Sequence, residues 1–532
     1  MQTLTSTLLA AQKGYGVTGA AYDSIWKIVL SRSGQTTRGY DINRVMQIQH
    51  TEEEDNGTAE VLLDNSDGVI SALYLQTPSI DFEQYQCIIY YGYNTGVVRS
   101  KWVKNTAYAV GNVVTPTTLT GYQYRCTIAG TSHATTEPTW GTALGVTQTD
   151  GGVTWEMDGN TGDEYSPRAP LKVEGQEFIS SETLLQCRLY LVGLPNQMRE
   201  DKAESAYTQE STDTNTLKTL ITAIAAKTLS PYTNYPAVTY TFEPVSASYP
   251  LGYDDSIIDS FIPADYFSVS VNENRDDKIQ ELLNYTKCKR RAGSDGAMHV
   301  FLPTTSGTTY DYEYRLYVSS YHTFFQKNIR NRFVNPNKEV VASMPEQGSY
   351  SGSATSAASY ALAPKTHTTY RRLTSSAQGT LIAAAIIERY ELNAERGSAV
   401  VPMNCGQEIF DYIKVTDSSE GTTRTGNVQY IQRNCKIATE NSDGYFNMTI
   451  RFGRVNTQTI GGLDTYAAGG AGVPQYLIDA INLMLDDIRT LYENQDIMVD
   501  NHKSLYDYLV PGTDVAFKKL TVAEQMIIPV WS

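Results

Sequence analysis

The stretch VPMNCGQEIFDYIKVTDS, residues 401–418, opens the most regular β pattern in the chain. Between Glu408 and Val415 alternate side chains are apolar, as a half-buried strand requires, because successive side chains point to opposite faces. After a turn-forming segment at 417–421, the alternation returns in GNVQYIQR at 426–433 and in YFNMTIRF at 445–452. We therefore predict an antiparallel set of strands over residues 400–455, and we interpret it as a scaffold rather than a catalytic site.

Length and charge narrow the class of protein. A chain of 532 residues is long enough for several domains, and 41% hydrophobic residues are enough for folded cores. Lys and Arg number 42 against 58 Asp and Glu, a net charge of −16. Phosphate contacts need a basic surface, so this balance argues against a general nucleic-acid binder. An acidic surface would repel DNA that moves past it, or it would simply favour solubility.

The cysteines and the N-terminus indicate in which cellular compartment the chain is made. No C-x-x-C motif and no zinc-ligand spacing occurs, so we predict free buried thiols, no metal and no cofactor. The six cysteines are Cys87, Cys126, Cys187, Cys288, Cys405 and Cys435. We find no signal-peptide pattern at the start, and no apolar run approaches the ~20 residues of a membrane helix. These features predict a chain made in the cytoplasm.

The first part of the chain also alternates like strands. Short β patterns with tight turns run from residue 22 to 93 and resume at 171–194, so residues 1–97 and 164–200 are predicted to form one split β domain. The acidic run EEED at 52–55 is compatible with a cation site. We interpret it as a solvated hairpin face.

Residues 98–160 form a self-contained insert with three of the five tryptophans of the chain. Aromatic residues separated by glycine turns are typical of a small β fold, and the spacing resembles small carbohydrate-binding-like modules inserted in phage tail proteins and chitin-active enzymes. Exposed rings would stack on sugars; alternatively, the same rings are the core of the small domain. The candidate sugar-binding residues are Trp102, Tyr108, Tyr122, Tyr124, Trp140 and Trp155.

The middle of the chain mixes helices and strands. Residues 201–267 hold a short helix at 216–227 and an extended connector, and residues 268–397 are predicted to be an α+β region. That region includes a helix around Ile279, a strand in MHVFL at 298–302 and a long helix at 375–396. The Ser/Gly/Ala-rich segment 348–358 is predicted to be a loop.

The C-terminal part differs in kind. A Gly/Ala linker at 457–473 precedes residues 474–532, which we predict to be a helix and a small β tip. Apolar residues there step by four and three, which indicates a coiled-coil seam with one polar position at Gln495; a helix packed on its own domain would show the same stripe. The candidate trimer-seam residues are Leu477, Ile481, Met484, Ile488, Leu491 and Met498.

Three stretches resemble the baseplate-hub, or tail-tip hub, proteins of tailed bacteriophages: residues 58–68, residues 272–314 with DGAMHVFLP at 295–303, and residues 398–454. The resemblance spans residues 22–97 and 164–455. It implies a β-rich α+β multidomain chain with two barrel-like hub domains, the second built from parts of 235–250 and from strands within 398–456. The insert and the coiled-coil-like extension would be additions to that plan.

The family resemblance also implies partners and a location. In that family a homotrimer forms a pseudo-six-fold ring that adapts the tail tube to a three-fold tip, and DNA passes through its bore. The implied neighbours are tail-tube or distal tail proteins above, the tape measure protein within, and tip fibre or spike proteins below. The implied location is the tip of the virion tail, the chain would not be an enzyme, and host surface glycans are a further implied partner of the insert.

Two other functions remain open from the sequence. One is a glycan-active enzyme with a binding module, which would need two carboxylates roughly 5–9 Å apart, and no paired motif marks them. The other is a tail-fibre-like adhesin, which the insert and the seam suit but which the long mixed middle matches poorly.

Overall fold

The structure, a computed structural model, describes residues 1–14, 22–71, 79–181, 184–234, 236–253, 255–316, 318, 321–329, 333–344, 348–395, 397–438 and 444–453. The predicted linker at 457–473 and the predicted helix and tip at 474–532 lie outside the described residues. So do the seam residues Leu477, Ile481, Met484, Ile488, Leu491, Gln495 and Met498.

Within those ranges the chain forms seven α-helices and 28 strands. The helices are α1 (Ser6–Lys13), α2 (Leu194–Glu200), α3 (Leu217–Ala225), α4 (Ser256–Ser260), α5 (Arg275–Leu283), α6 (Ala357–Leu362) and α7 (Ser376–Ala394). The first fourteen strands are β1 (Asp23–Ser31), β2 (Arg38–Asp41), β3 (Val45–Glu52), β4 (Gly57–Asp64), β5 (Gln86–Val97), β6 (Ala107–Tyr108), β7 (Val113–Val114), β8 (Tyr122–Ile128), β9 (Gly130–Thr131), β10 (Thr147–Asp150), β11 (Val153–Asn160), β12 (Gly162–Pro167), β13 (Leu171–Ser181) and β14 (Leu184–Val192). The others are β15 (Tyr207–Thr208), β16 (Tyr240–Phe242), β17 (Ser268–Val269), β18 (Lys289–Ala292), β19 (Met298–Phe301), β20 (Tyr312–Arg315), β21 (Gln326–Ile329), β22 (Lys338–Ser343), β23 (Ser351–Thr355), β24 (Thr366–Arg371), β25 (Gly397–Pro402), β26 (Tyr412–Asp417), β27 (Thr422–Lys436) and β28 (Tyr445–Phe452).

One large sheet dominates the described part of the chain. Its order is β2-β1-β5-β13-β14-β4-β3-β27-β28-β25-β21, with β12 beside β5, β26 beside β27, and β20 beside β26, fourteen strands in all. The period-2 pattern builds it: on β4 the alternating residues Ala59, Val61 and Leu63 are buried while their neighbours are not. The predicted β-rich α+β class is confirmed.

The two barrel-like domains predicted from the sequence are joined in a single open sheet, and no barrel closes among the described residues. The joint is the antiparallel pair of β3 and β27, in which Ile48 lies opposite Cys435 and Glu52 opposite Ile431. Ile48, Cys435 and Ile431 are all buried in the same hydrophobic core. One shared core removes more apolar surface from water than two small ones, which accounts for the merger.

Within its described residues, 236–250, the connector does not pair with the described strands of 400–455, whereas the sequence predicts that it contributes to a second barrel. Its strand β16 pairs in parallel with β19, Tyr240 opposite Met298, in a separate three-stranded sheet with β18. The apolar stripes of α3 and α5, including Leu220 and Leu282, pack in the core beneath that sheet. Strands β20 and β21 join the large sheet instead, through β26 and β25.

The Ser/Gly/Ala-rich segment predicted to be a loop contains β23 and the start of α6. β23 pairs antiparallel with the central strand β22 of a small sheet that α7 covers. A Cβ at Gly352 on β23 would overlap the backbone of Gly379 and Thr380 on α7. The small residues thus allow a helix to lie close against a strand, a packing role that local composition does not reveal.

The insert folds between β5 and β12 as its own small β structure. Strands β10, β11, β8 and β7 form a four-stranded sheet, and β6 pairs with β9. We call the part of the chain from residue 98 to residue 160 the module. Across the described ranges, no helix combines the length and the apolar character that a membrane crossing requires.

Candidate functional site

The module encloses an aromatic core. Trp155 and Tyr124 are fully buried and Trp102 nearly so, while Tyr108, Tyr122 and Trp140 are half-buried against them. The ring centroids of Tyr124 and Trp140 are 4.3 Å apart, and those of Tyr108 and Trp155 are 4.8 Å apart. All six candidate sugar-binding residues are therefore brought together in one cluster.

One buried carboxylate fixes two of the indoles. Oδ2 of Asp150 accepts hydrogen bonds from Nε1 of Trp102 at 2.7 Å and from Nε1 of Trp155 at 3.0 Å. Buried indole N–H groups need such partners. Because Trp102, Tyr124 and Trp155 are enclosed, their rings are not available to stack on a sugar; they are the core of the small domain, the alternative that the sequence left open.

A second site, which the sequence analysis missed, is the buried cationic strand β18. Its three consecutive cations, which we call the ionic junction, are each at most 5% exposed and each contacts a different part of the chain. Lys289 pairs with Glu54 at 3.0 Å, Arg290 with Asp276 of α5 at 2.7 Å, and Arg291 with Glu408 at 3.1 Å. The junction thereby ties the β3–β4 hairpin, the helical middle and the 404–411 turn to one strand.

The acidic run at 52–55 contributes Glu54 to this junction and pairs Glu52 with another buried cation, so its interpretation as a solvated hairpin face is wrong. Glu54 is buried against Lys289, and Glu52 pairs with the fully buried Arg433 at 2.7 Å. Burying carboxylates is tolerated only with paired cations, which is why an acidic hairpin tip faces KRR at 289–291. Three adjacent cations on a strand of an acidic chain were the available sequence signal.

Arg168, the residue after β12, also contacts the 404–411 turn. Its Nη1 donates to the carbonyl oxygen of Gln407 at 3.0 Å, and its Nη2 donates to that of Cys405 at 2.6 Å. The N-terminal segment runs alongside, where the backbone N–H of Gln2 donates to the carbonyl of Gly406 at 2.9 Å. The 404–411 turn is therefore held by contacts from three distant stretches: the side chains of Arg168 and Arg291 and the backbone of Gln2.

A small cavity of about 40 Å³ opens at this junction, and Glu52 and Glu408 both line it. Burial would raise the pKa of both groups, but cations outweigh burial. Arg433 and His50 lower the pKa of Glu52 to about 2, and Arg291 lowers the pKa of Glu408. A glycosidase needs one carboxyl with a raised pKa as general acid, so this pair does not suit that chemistry.

Metal ligands and cysteines were compared over the ranges that the structure describes. No group of three His, Cys, Asp or Glu side chains there is placed to hold a metal ion. The six cysteines are unbridged and buried, as the sequence predicted.

Comparison with known proteins gives matches among solved structures. No protein-family model and no curated protein matches the chain. A tail protein from Neisseria meningitidis MC58 aligns with a TM-score of 0.46 at 8% identity, covering 81% of this chain and 96% of its own. The 43 kDa tail protein of prophage MuSo2 from Shewanella oneidensis aligns at 0.43 with 11% identity, over 81% and 98%. Prophage tail protein gp18 from Listeria monocytogenes EGD-e aligns at 0.42 with 8% identity, over 83% and 97%.

Proposed function

We propose that this chain is a structural hub at the tail tip of a phage, in which three copies form a ring that adapts a six-fold tail tube to a three-fold tip. Tail-tube or distal tail proteins bind above it, tip fibre or spike proteins bind below it, and the tape measure protein and then DNA occupy its bore. Its activity is mechanical: the chain holds a fixed shape and catalyses no reaction.

The observation that carries this proposal is the single sheet shared by the two ends of the described chain. β3 from the first domain and β27 from the last are hydrogen-bonded neighbours, and the ionic junction fastens the helical middle beside them. A hub must transmit load between partners without changing shape, and a continuous sheet with buried paired charges resists such a change. The sequence resemblance over residues 22–97 and 164–455 supplies the class.

The trimer predicts a definite mass in solution. We expect light scattering and mass photometry of the full chain to show a complex of three copies, each of 58.9 kDa. Interfaces of obligate oligomers bury large areas, so the trimer should persist on dilution to about nanomolar concentration. A strict monomer at the highest soluble concentration contradicts the ring.

We also propose that the module contacts host surface glycans through Tyr108, Tyr122 and Trp140, the three half-buried rings. Trp140 supports this best, because Nε1 donates to Glu137 Oε1 at 2.8 Å and so holds the ring beside a carboxylate. Glu137 also accepts from the backbone N–H of Thr117 at 2.8 Å. An aromatic ring next to fixed polar groups is an arrangement that can bind a sugar ring, because the ring stacks on the sugar and the polar groups bind its hydroxyls.

The glycan proposal is tested on the full chain. We expect Trp140→Ala to weaken binding to a responsive polysaccharide on a glycan array by at least roughly tenfold, because a stacking ring is lost. Trp140→Phe should retain most of the signal. Phe178→Ala, which removes a partly exposed ring on β13, serves as the matched control and should bind normally. A blank array across host polysaccharides would leave the module as a spacer.

A further inference from the structure

A lysine of the large sheet is buried beneath the module. Lys27 on β1 is fully buried, and its Nζ donates to Oδ1 of Asp158 on β11 at 2.8 Å and to the carbonyl oxygen of the same residue. The rings of Tyr90 and Tyr165 lie on either side, with centroids 4.6 and 4.3 Å from Nζ. A charge with two oxygen acceptors and two aromatic faces is well satisfied despite its burial.

Asp158 has a second cation inside the module. Arg125 on β8 lies with Nη2 3.0 Å from Oδ1 of Asp158 and donates through Nε at 3.1 Å. Burial alone would raise the pKa of Asp158, but Arg125 and Lys27 outweigh it and hold that pKa well below its usual range. The carboxylate is therefore charged, and it remains paired within the module even without Lys27.

The backbones also meet closely at this interface. A Cβ at Gly39 on β2 would overlap the carbonyl group of Leu144 in the module, and a Cβ at Gly145 would lie 2.9 Å from Cγ1 of Val29. Ile25, Val29, Tyr90 and Tyr165 form a small buried cluster of their own there. The module and the sheet therefore meet closely at Gly39 and Leu144 and at Gly145 and Val29, beside that cluster of sheet side chains.

The two chain connections to the module meet at a pair of glycines. They cross at Gly96 and Gly162, whose φ angles are +66° and +96°. A Cβ at Gly162 would lie 2.9 Å from Cα of Gly96. Both φ values lie in the region that favours glycine, so the close crossing of the two connections depends on these residues.

We propose that the module is locked on the large sheet in one orientation, and that Lys27 is the positioning residue that locks it. Lys27, a buried cation of the sheet, pairs with the Asp158 carboxylate of the module, which Arg125 of the module keeps charged. The module is then a fixed arm of the body and not a domain on a tether. This inference concerns geometry alone and holds whether or not the module binds a glycan.

Pulsed electron resonance distances between two spin labels test the lock. The labels go on Thr135→Cys, exposed in the module, and Thr222→Cys, exposed on α3; the native thiols are buried. We expect one narrow distance distribution in the parent. Lys27→Met should lower the docked-to-undocked ratio by about 10- to 100-fold, because a charged hydrogen bond is lost, and the distribution should broaden.

A second variant keeps the test decisive if Lys27→Met fails to fold. Gly39→Ala leaves every charge in place and sets a methyl group against Leu144, so it should broaden the distribution in the same way. Arg188→Met, which removes only partly exposed ion pairs on the same sheet, is the control and should stay narrow. A broad distribution in the parent, or a narrow distribution in a folded Lys27→Met, would overturn the proposal. If Lys27→Met does not fold, a narrow distribution in Gly39→Ala would overturn the locked orientation.

Discussion

Arg290→Met is expected to lower the free energy of unfolding by about 3–5 kcal/mol, the usual effect of removing one partner of a buried ion pair. Arg290 is fully buried, and its Nη1 lies 2.7 Å from Oδ1 of Asp276 and 2.8 Å from the hydroxyl of Tyr240. Without the guanidinium, the ion pair that remains for the buried Asp276 carboxylate among the described residues is the one with Arg199, at 3.5 Å. Urea denaturation at neutral pH, followed by circular dichroism, measures the loss.

Two further variants separate the charge effect from simple loss of packing. Arg290→Met combined with Asp276→Leu should recover most of the stability, because the unpaired charge is gone. Lys287→Met, three residues earlier on the chain, removes an ion pair whose members are 41% and 34% exposed, and should cost less than about 1 kcal/mol. If Arg290→Met proves as mild as Lys287→Met, the junction does not hold the parts together as described.

Acid should destabilise the protein by about 3 kcal/mol between pH 6.5 and pH 4 through His50 alone. Burial, only partly offset by Glu52, lowers the pKa of His50 from 6.5 to about 4. The fold therefore excludes a proton that the unfolded chain binds. Stability from this group is fully present above pH 6.5 and is lost as the pH falls toward 4.

Stability curves against pH for matched variants check this. His50→Gln removes the titration while keeping a polar partner for the Tyr91 hydroxyl, which lies 3.3 Å from Nδ1. Its free energy of unfolding should change much less over that pH range than that of the parent. His133→Gln, at an exposed position of the module, should follow the parent curve. Parallel curves for the parent and His50→Gln would contradict a role for this imidazole.

Local periodicity is sufficient to predict several of the elements. The alternation around Ile413 and Ile431 predicted β26 and β27, and the apolar stripe of Leu220 and Ile224 predicted α3. These signals depend on neighbours a few residues apart, which the sequence displays directly. The spacing of the aromatic residues likewise predicts that the rings of the module belong to one small β fold.

Long-range pairing could not be predicted in the same way. Nothing in the local sequence of β3 indicates that its partner is β27, and nothing in Glu54 indicates that Lys289 will neutralise it. An isolated acidic run is usually solvated, and only a tertiary contact overrides that expectation. The division of the rings into enclosed and half-buried ones also depends on Asp150, whose role follows from the fold and not from its neighbours in sequence.

The pairing of β3 with β27 has a consequence during synthesis. β3 leaves the ribosome early, yet β27, which starts at Thr422, is made only after nearly the whole described chain has been translated. At about 5–20 residues per second, the edge of β3 that pairs with β27 stays unpaired for tens of seconds. A bare strand edge can pair with other nascent chains, so we expect the unfinished chain to be prone to aggregation until β27 has been made.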